Sequence, residues 1–156
     1  MSSSRQIVLS IDPLSEEADY TVQWVAENFL RKTDNIYIFM VLVVEDDNDV
    51  SDELEAVVFD DGTLSDIQKE TAAQNSLAMA NIVKRLNAKG FNNVSYRIYK
   101  AMASKACDTL VQYIDSQKTD CLVMGSRSLS GWKRFFMGSF SDYVQSQAKC
   151  PVLIVK

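Results

Sequence analysis

At 156 residues the chain is sized for one domain with a sizeable core, and 47% hydrophobic with 24% charged residues is an ordinary globular mix. A net charge of −5 argues against nucleic acid or an anionic membrane surface as partner, and no apolar run approaches the ~20 residues of a membrane span. There is no histidine, which removes Ser-His-Asp and Cys-His nucleophilic catalysis and His-ligated metal sites.

The elements follow in chain order. Arg5 to Ile11 is a nearly continuous apolar run, as expected of a parallel strand buried on both faces. It stops at Asp12-Pro13, where proline suits a helix start. Glu16 and Glu17 then complement the dipole of a helix over 15–31, with Ala18, Val22, Val25 and Phe29 on one face. Strand 2 is Ile36 to Val44. From Glu45 to Asp66 there are ten acids and no Lys or Arg, out of 21 acids in all. This block reads as a solvated, mobile insertion at 45–66. Its cluster Asp46, Asp47, Asp49 and Asp52 lacks the spacing of a calcium loop. The apolar Val57-Val58-Phe59 within it could dock on the body or a partner.

Helix 2 is expected over 65–89, with Met79, Ile82, Val83 and Leu86 on one face and Gly90 as the residue after the C-cap. Val94 to Tyr99 alternates, predicting a half-exposed strand 3 at an edge. Ser104 would cap helix 3, whose face is Cys107, Leu110, Val111 and Ile114. Strand 4 is Cys121 to Met124. Helix 4 would run from Phe140 to Ala148 behind a Ser139 cap. Strand 5 is Val152 to Val155. The order β-α-β-α-β-α-β-loop-α-β implies one parallel α/β sheet with helices on both faces. Cys107, Cys121 and Cys150 are an odd number without C-x-x-C spacing and read as reduced small hydrophobes. The N-terminus has no basic n-region or long apolar core, so a cytoplasmic protein is expected.

Chemistry should gather beyond the carboxyl ends of strands 1 and 4, at Asp12 and Gly125. Asp12 fits either a ribose contact or a cap for helix 1. Arg127, Lys133 and Arg134 lie between Gly125-Ser126 and Gly138-Ser139, with no acid from Ser126 to Ser141. A helix opening at Ser139-Phe140-Ser141-Asp142 would turn its free N–H groups toward this loop and favour an anion. The alternative is a plain cap with solvated basic residues. Neither the P-loop nor the G-x-G-x-x-G fingerprint is present. Val41 and Met124 could cover a flat base, although core packing is the commoner role of such residues.

Two stretches carry a family resemblance: M-G-S-R-S-L-S-G-W-K-R-F-F-M-G-S-F-S-D-Y-V (124–144) and C-P-V-L-I-V-K (150–156). With the strand end Ser10-Ile11-Asp12, they closely resemble the universal stress protein family across the whole domain. The resemblance implies a five-stranded parallel sheet of order 3-2-1-4-5, in the Rossmann-like adenine nucleotide alpha hydrolase-like class. It implies a crevice for ATP, ADP or AMP, with Mg²⁺ accompanying the nucleotide. Asp12 and Gly125 would lie by the ribose, Val41 by the adenine, and Gly138, Ser139 and Ser141 by the phosphates. The family motif G-x2-G-x9-G-(S/T) maps onto Gly125, Ser128 and Gly138-Ser139, with Arg127 inside it. Ser128 thus replaces the middle glycine, which predicts weaker binding or a shift toward shorter nucleotides. Residues 101–105 also lack the Gly-Asp-Pro often found before the family's third helix. The resemblance further implies a homodimer paired through Val152 to Val155, with Trp132, Phe135 and Phe136 covering the crevice or meeting a partner. The expected role is a dimeric stress-response sensor or switch, with slow ATP hydrolysis at most. The alternative is a dimeric interaction module that has lost nucleotide binding.

Overall fold

A computed structural model describes residues 3–44, 66–125 and 137–156. The strands are β1 (Gln6–Ser10), β2 (Asn35–Val44), β3 (Val94–Met102), β4 (Cys121–Gly125) and β5 (Val152–Val155). The helices are α1 (Glu16–Asn28), α2 (Asp66–Ala88), α3 (Ala106–Ser116) and α4 (Met137–Gln147). All strand pairs are parallel, in the order β3-β2-β1-β4-β5. The acidic block, with Val57-Val58-Phe59, lies outside the described residues except for Asp66 at the start of α2.

β1 is the middle strand. Val8 faces Tyr37 on one side and Leu122 on the other. Because side chains alternate, Ile7 and Leu9 enter the core beneath α1 and α2, while Val8 enters the one beneath α3 and α4. Both faces are dry, which is why the strand reads as a solid apolar run. The first core takes Ala18, Val22 and Val25 from α1 and Met79, Ile82 and Leu86 from α2, the spacings expected of one helix face. The second takes Leu110 and Ile114 from α3 and Val144 from α4.

Some boundaries differ from expectation. Strand β3 continues three residues past Tyr99, through Lys100, Ala101 and Met102, because β2 offers register partners as far as Val44. Its second face is covered as well: the Tyr99 ring lies 5.2 Å from Phe39 and 5.4 Å from Tyr113. Tyr113, absent from the expected face of α3, stacks on Phe39 at 4.4 Å. Ser104 is no cap. A single 3-10 turn, Ala103–Lys105, leads into α3, and Lys105 occupies the N-cap without a capping side-chain bond.

The helix-to-strand turns are tightly bonded. Arg5 makes a forked ion pair with buried Asp34, Nε to Oδ1 at 2.8 Å and Nη2 to Oδ2 at 2.7 Å. Asp34 also accepts the Arg31 N–H at 2.8 Å, and Arg5 donates to the Phe29 carbonyl at 3.1 Å. This knot fastens the end of α1 to the start of β1. The turn after α2 closes as a Schellman motif: Phe91 N–H bonds the Leu86 carbonyl, and Gly90 N–H bonds that of Asn87. Gly90 has the φ of +96° that this position requires. Lys32 donates to the Lys89 carbonyl and lies over the Phe91 ring. The turn after α3 repeats the motif, with Thr119 N–H to Ile114 and Lys118 N–H to Asp115, both at 3.2 Å. Here the left-handed position is held by Lys118, at φ 50°.

Two stability predictions follow from these turns. Asp34→Ala strands the Arg5 guanidinium and the Arg31 N–H, and should cost about 3 kcal/mol in urea unfolding. Lys118→Gly removes left-handed strain and should raise stability by about 0.5–1 kcal/mol, net of glycine's extra unfolded-state entropy.

Candidate functional site

The strand order reverses between β1 and β4, since the chain builds outward to β2 and β3 on one side and to β5 on the other. In an open parallel sheet this reversal leaves a crevice beyond the carboxyl ends of the two strands. Ser10, at the end of β1, faces Met124 on β4 and Phe39 on β2. The chain leaves the sheet through Asp12 on one lip and Gly125 on the other.

The β1–α1 turn is self-bonded. Asp12 Oδ1 accepts the Leu14 N–H at 3.1 Å, and the Asp12 carbonyl accepts from Ser15 N–H at 3.0 Å and Ser15 Oγ at 2.7 Å. Ser15 is the N-cap, its Oγ taking the Ala18 N–H at 3.2 Å. The helix-capping role weighed for Asp12 therefore belongs to Ser15. Asp12 is half-buried at the lip, with its carboxylate ordering the turn.

α4 begins at Met137, three residues earlier than expected. Gly138 and Ser139 thus lie inside its first turn, and Ser139 is not the residue preceding the helix. The β4–α4–β5 crossover runs α4 back against the strands, so its N-terminus starts at the carboxyl edge of the sheet. The positive end of the helix dipole lies at this edge. Val144, fully buried, seats α4 on the core, and the Tyr143 hydroxyl donates to Asp108 of α3 at 2.5 Å. The helix end is thereby fixed relative to the strand ends.

Sequence reasoning thus brings Asp12 and Gly125 to the two lips, with Gly138, Ser139 and Ser141 on the opening turns of α4. Val41 and Met124 are 1% and 0% exposed and belong to the core beneath α3 and α4. Arg127 and Ser128 lie outside the described residues, as do Trp132, Lys133, Arg134, Phe135 and Phe136. A buried cation, Lys100, was not anticipated. It is 1% exposed, opposite Leu42 near the carboxyl end of β3. Its signal was the alternation continuing from Tyr96 and Ile98, which a strand ending at Tyr99 conceals.

The three cysteines are free and half-buried. Burial, with a smaller contribution from Asp108, pushes the Cys107 thiol up to about 11. Burial also raises Cys121 and Cys150, so all three favour the neutral thiol rather than the nucleophilic thiolate. Among the described residues no cluster of His, Cys, Asp and Glu is suited to hold a metal ion, and no helix is long and apolar enough to cross a membrane.

The model of the universal stress protein family matches residues 3–156. The chain belongs to the universal stress protein family. An uncharacterized protein of Schizosaccharomyces pombe is 27% identical over 150 residues, which is 95% of this chain but 22% of that protein. The universal stress protein domain here thus spans about a fifth of that relative's length. Among solved structures, UspA of Lactobacillus plantarum superposes with a TM-score of 0.69 at 18% identity, covering all of both chains. A universal stress protein in complex with cAMP superposes at 0.64 with 19% identity, covering 99% of this chain and 98% of that one. At these identities the structures establish the shared Rossmann-like α/β fold.

Proposed function

We propose that this universal stress protein binds an adenine nucleotide, ATP, ADP or AMP, in the crevice between β1 and β4. We further propose that it acts in the cytoplasm as a dimeric stress-response switch. The observation that carries the reading is the conjunction of the strand-order reversal with the amino-terminal, dipole-positive end of α4 at the same edge of the sheet. Phosphate oxygens accept from the backbone at Gly138 and Ser139, with Ser141 one turn further in. Asp12 receives the ribose hydroxyls, and Gly125, lacking a Cβ, admits the nucleotide close to the backbone. Val41 and Met124, buried in the core, back the crevice without an exposed surface for the base, and Arg127 and Ser128 complete the phosphate loop. Mg²⁺ travels with the triphosphate. The structural relative complexed with cAMP supports an adenine nucleotide as ligand. Binding, rather than turnover, is the proposed role.

One observation favours a second reading, an interaction module without nucleotide. Ser128 stands where the family motif has its middle glycine.

The proposed dimer forms through β5. Its outer edge has no strand neighbour among the described residues, and Val152, Leu153 and Ile154 remain only half-buried. Pairing with the same strand of a second copy would satisfy that edge.

Isothermal titration of nucleotide-free protein should detect saturable ATP, ADP or AMP binding. Asp12→Ala and Gly138→Val should each abolish it while far-UV circular dichroism stays unchanged. Absence of binding to millimolar concentrations selects the second reading, and unchanged affinity in both variants rejects the assigned site. Independently, Leu153→Asp should sediment as a monomer with its cooperative thermal transition retained, where the parent sediments as a dimer.

A further inference from the structure

The amino-terminal edge of the sheet, opposite the nucleotide crevice, holds a second cleft. It measures about 360 Å³ and is lined by Ile114, Asp115, Lys118, Thr119, Lys149 and Cys150. The α3–β4 and α4–β5 turns form its two sides. Its volume falls at the small end of the range for ligand sites. The five residues of β4 separate it from the crevice by roughly 13–16 Å, so it is a separate place on the molecule.

Three irregularities meet in this cleft. Lys118 is the one non-glycine residue with a positive φ among the described residues. Thr119 Oγ1 is buried and has no hydrogen-bond partner among them. Lys118 and Lys149 both face the cleft, and neither forms an ion pair among them. A buried hydroxyl without a partner is unusual enough to need an explanation.

Capping of α3 does not account for the lysines. The Ile114 and Asp115 carbonyls already accept the Thr119 and Lys118 N–H groups, and the Tyr113 carbonyl accepts that of Gln117. The ammonium groups are therefore available to something else. Burial raises the Cys150 pKa, so its neutral thiol adds no repulsion toward an anion. Asp115 is the one acidic group in the lining. It leaves the cleft with a small positive charge and disfavours highly charged guests.

We propose that this cleft binds a small oxyanion, a phosphate or carboxylate group, held between Lys118 and Lys149 with the Thr119 hydroxyl donating to it. A guest that also carries a hydrogen-bond donor, such as hydrogenphosphate or a hydroxy acid, suits Asp115 as well. The proposal is independent of nucleotide binding at the other end of the sheet.

The test is a ¹⁵N–¹H correlation titration of the full chain with sodium phosphate and, separately, sodium acetate or lactate. Sodium chloride at matched ionic strength is the control. Saturable shifts at the Lys118, Thr119 and Cys150 amides with any of the three oxyanions, absent with chloride, support the proposal. Lys118→Gly should weaken binding about tenfold even though it relieves the backbone, which separates lost affinity from lost fold. Thr119→Val should weaken it several-fold. The proposal is overturned if no oxyanion gives saturable shifts up to about 50 mM. It is equally overturned if chloride reproduces the shifts, or if Lys118→Gly and Thr119→Val both bind like the parent.

Discussion

The pairing of β1 with β4 is the contact on which the rest of this molecule depends. It joins Ile7 through Ser10 to Cys121 through Met124, segments more than a hundred positions apart. It makes β1 central, with helices over both faces, and so requires an apolar residue at nearly every position of the strand. It also sets where the strand order turns around, and hence where a crevice can exist. The pairing is anchored at its start by Asp120, which exchanges bonds with Gln6: the Gln6 N–H to Asp120 Oδ2 and the Asp120 N–H to the Gln6 carbonyl, both at 2.7 Å.

The two ends of the sheet are built differently. At the amino-terminal edge, turns are short and closed by bonds across elements: the Arg5–Asp34 fork, the clasp of Lys32 on the end of α2, and the two Schellman turns. These hold each helix against the strand that follows it. At the carboxyl edge, the amino-terminal, dipole-positive end of α4 is presented instead. Rigidity at one edge thus fixes the angle at which groups at the other edge are presented. The seating of α4 through Val144 and Tyr143 extends that rigidity to this helix.

Much of this could be read in the chain itself. Buried parallel strands advertise themselves as solid apolar runs, and β5 falls at Val152–Val155 as expected. Helix faces at 3.6-residue spacing were equally clear, as was Gly90 beyond α2, because only glycine adopts that φ without strain. The strand ends carrying Asp12 and Gly125 were readable for the same reason: an abrupt stop in an apolar run. What failed was local capping. Ser15 and Ser104 look alike in sequence, yet of the two only Ser15 caps, because β3 runs on to Met102 and a 3-10 turn takes up Ser104. Asp34 beneath Arg5 was hidden, since it is dictated by tertiary bonding, and the left-handed turn at Lys118 was hidden because no glycine marks it.

The central pairing also sets a timetable. Within this domain β1 is made early, but the strand that completes its second edge follows more than a hundred residues later. Before then β1 and β2 can pair while the β1 edge that β4 will cover stays bare. Such long-range parallel pairing is slow to close and leaves sticky strand edges exposed meanwhile. The four-residue strand β5 in turn covers β4, so the sheet of this domain is finished only by its last strand. A nascent chain stalled between β4 and Val152 would therefore display the uncovered edge of β4, and chaperone occupancy should be greatest over that interval.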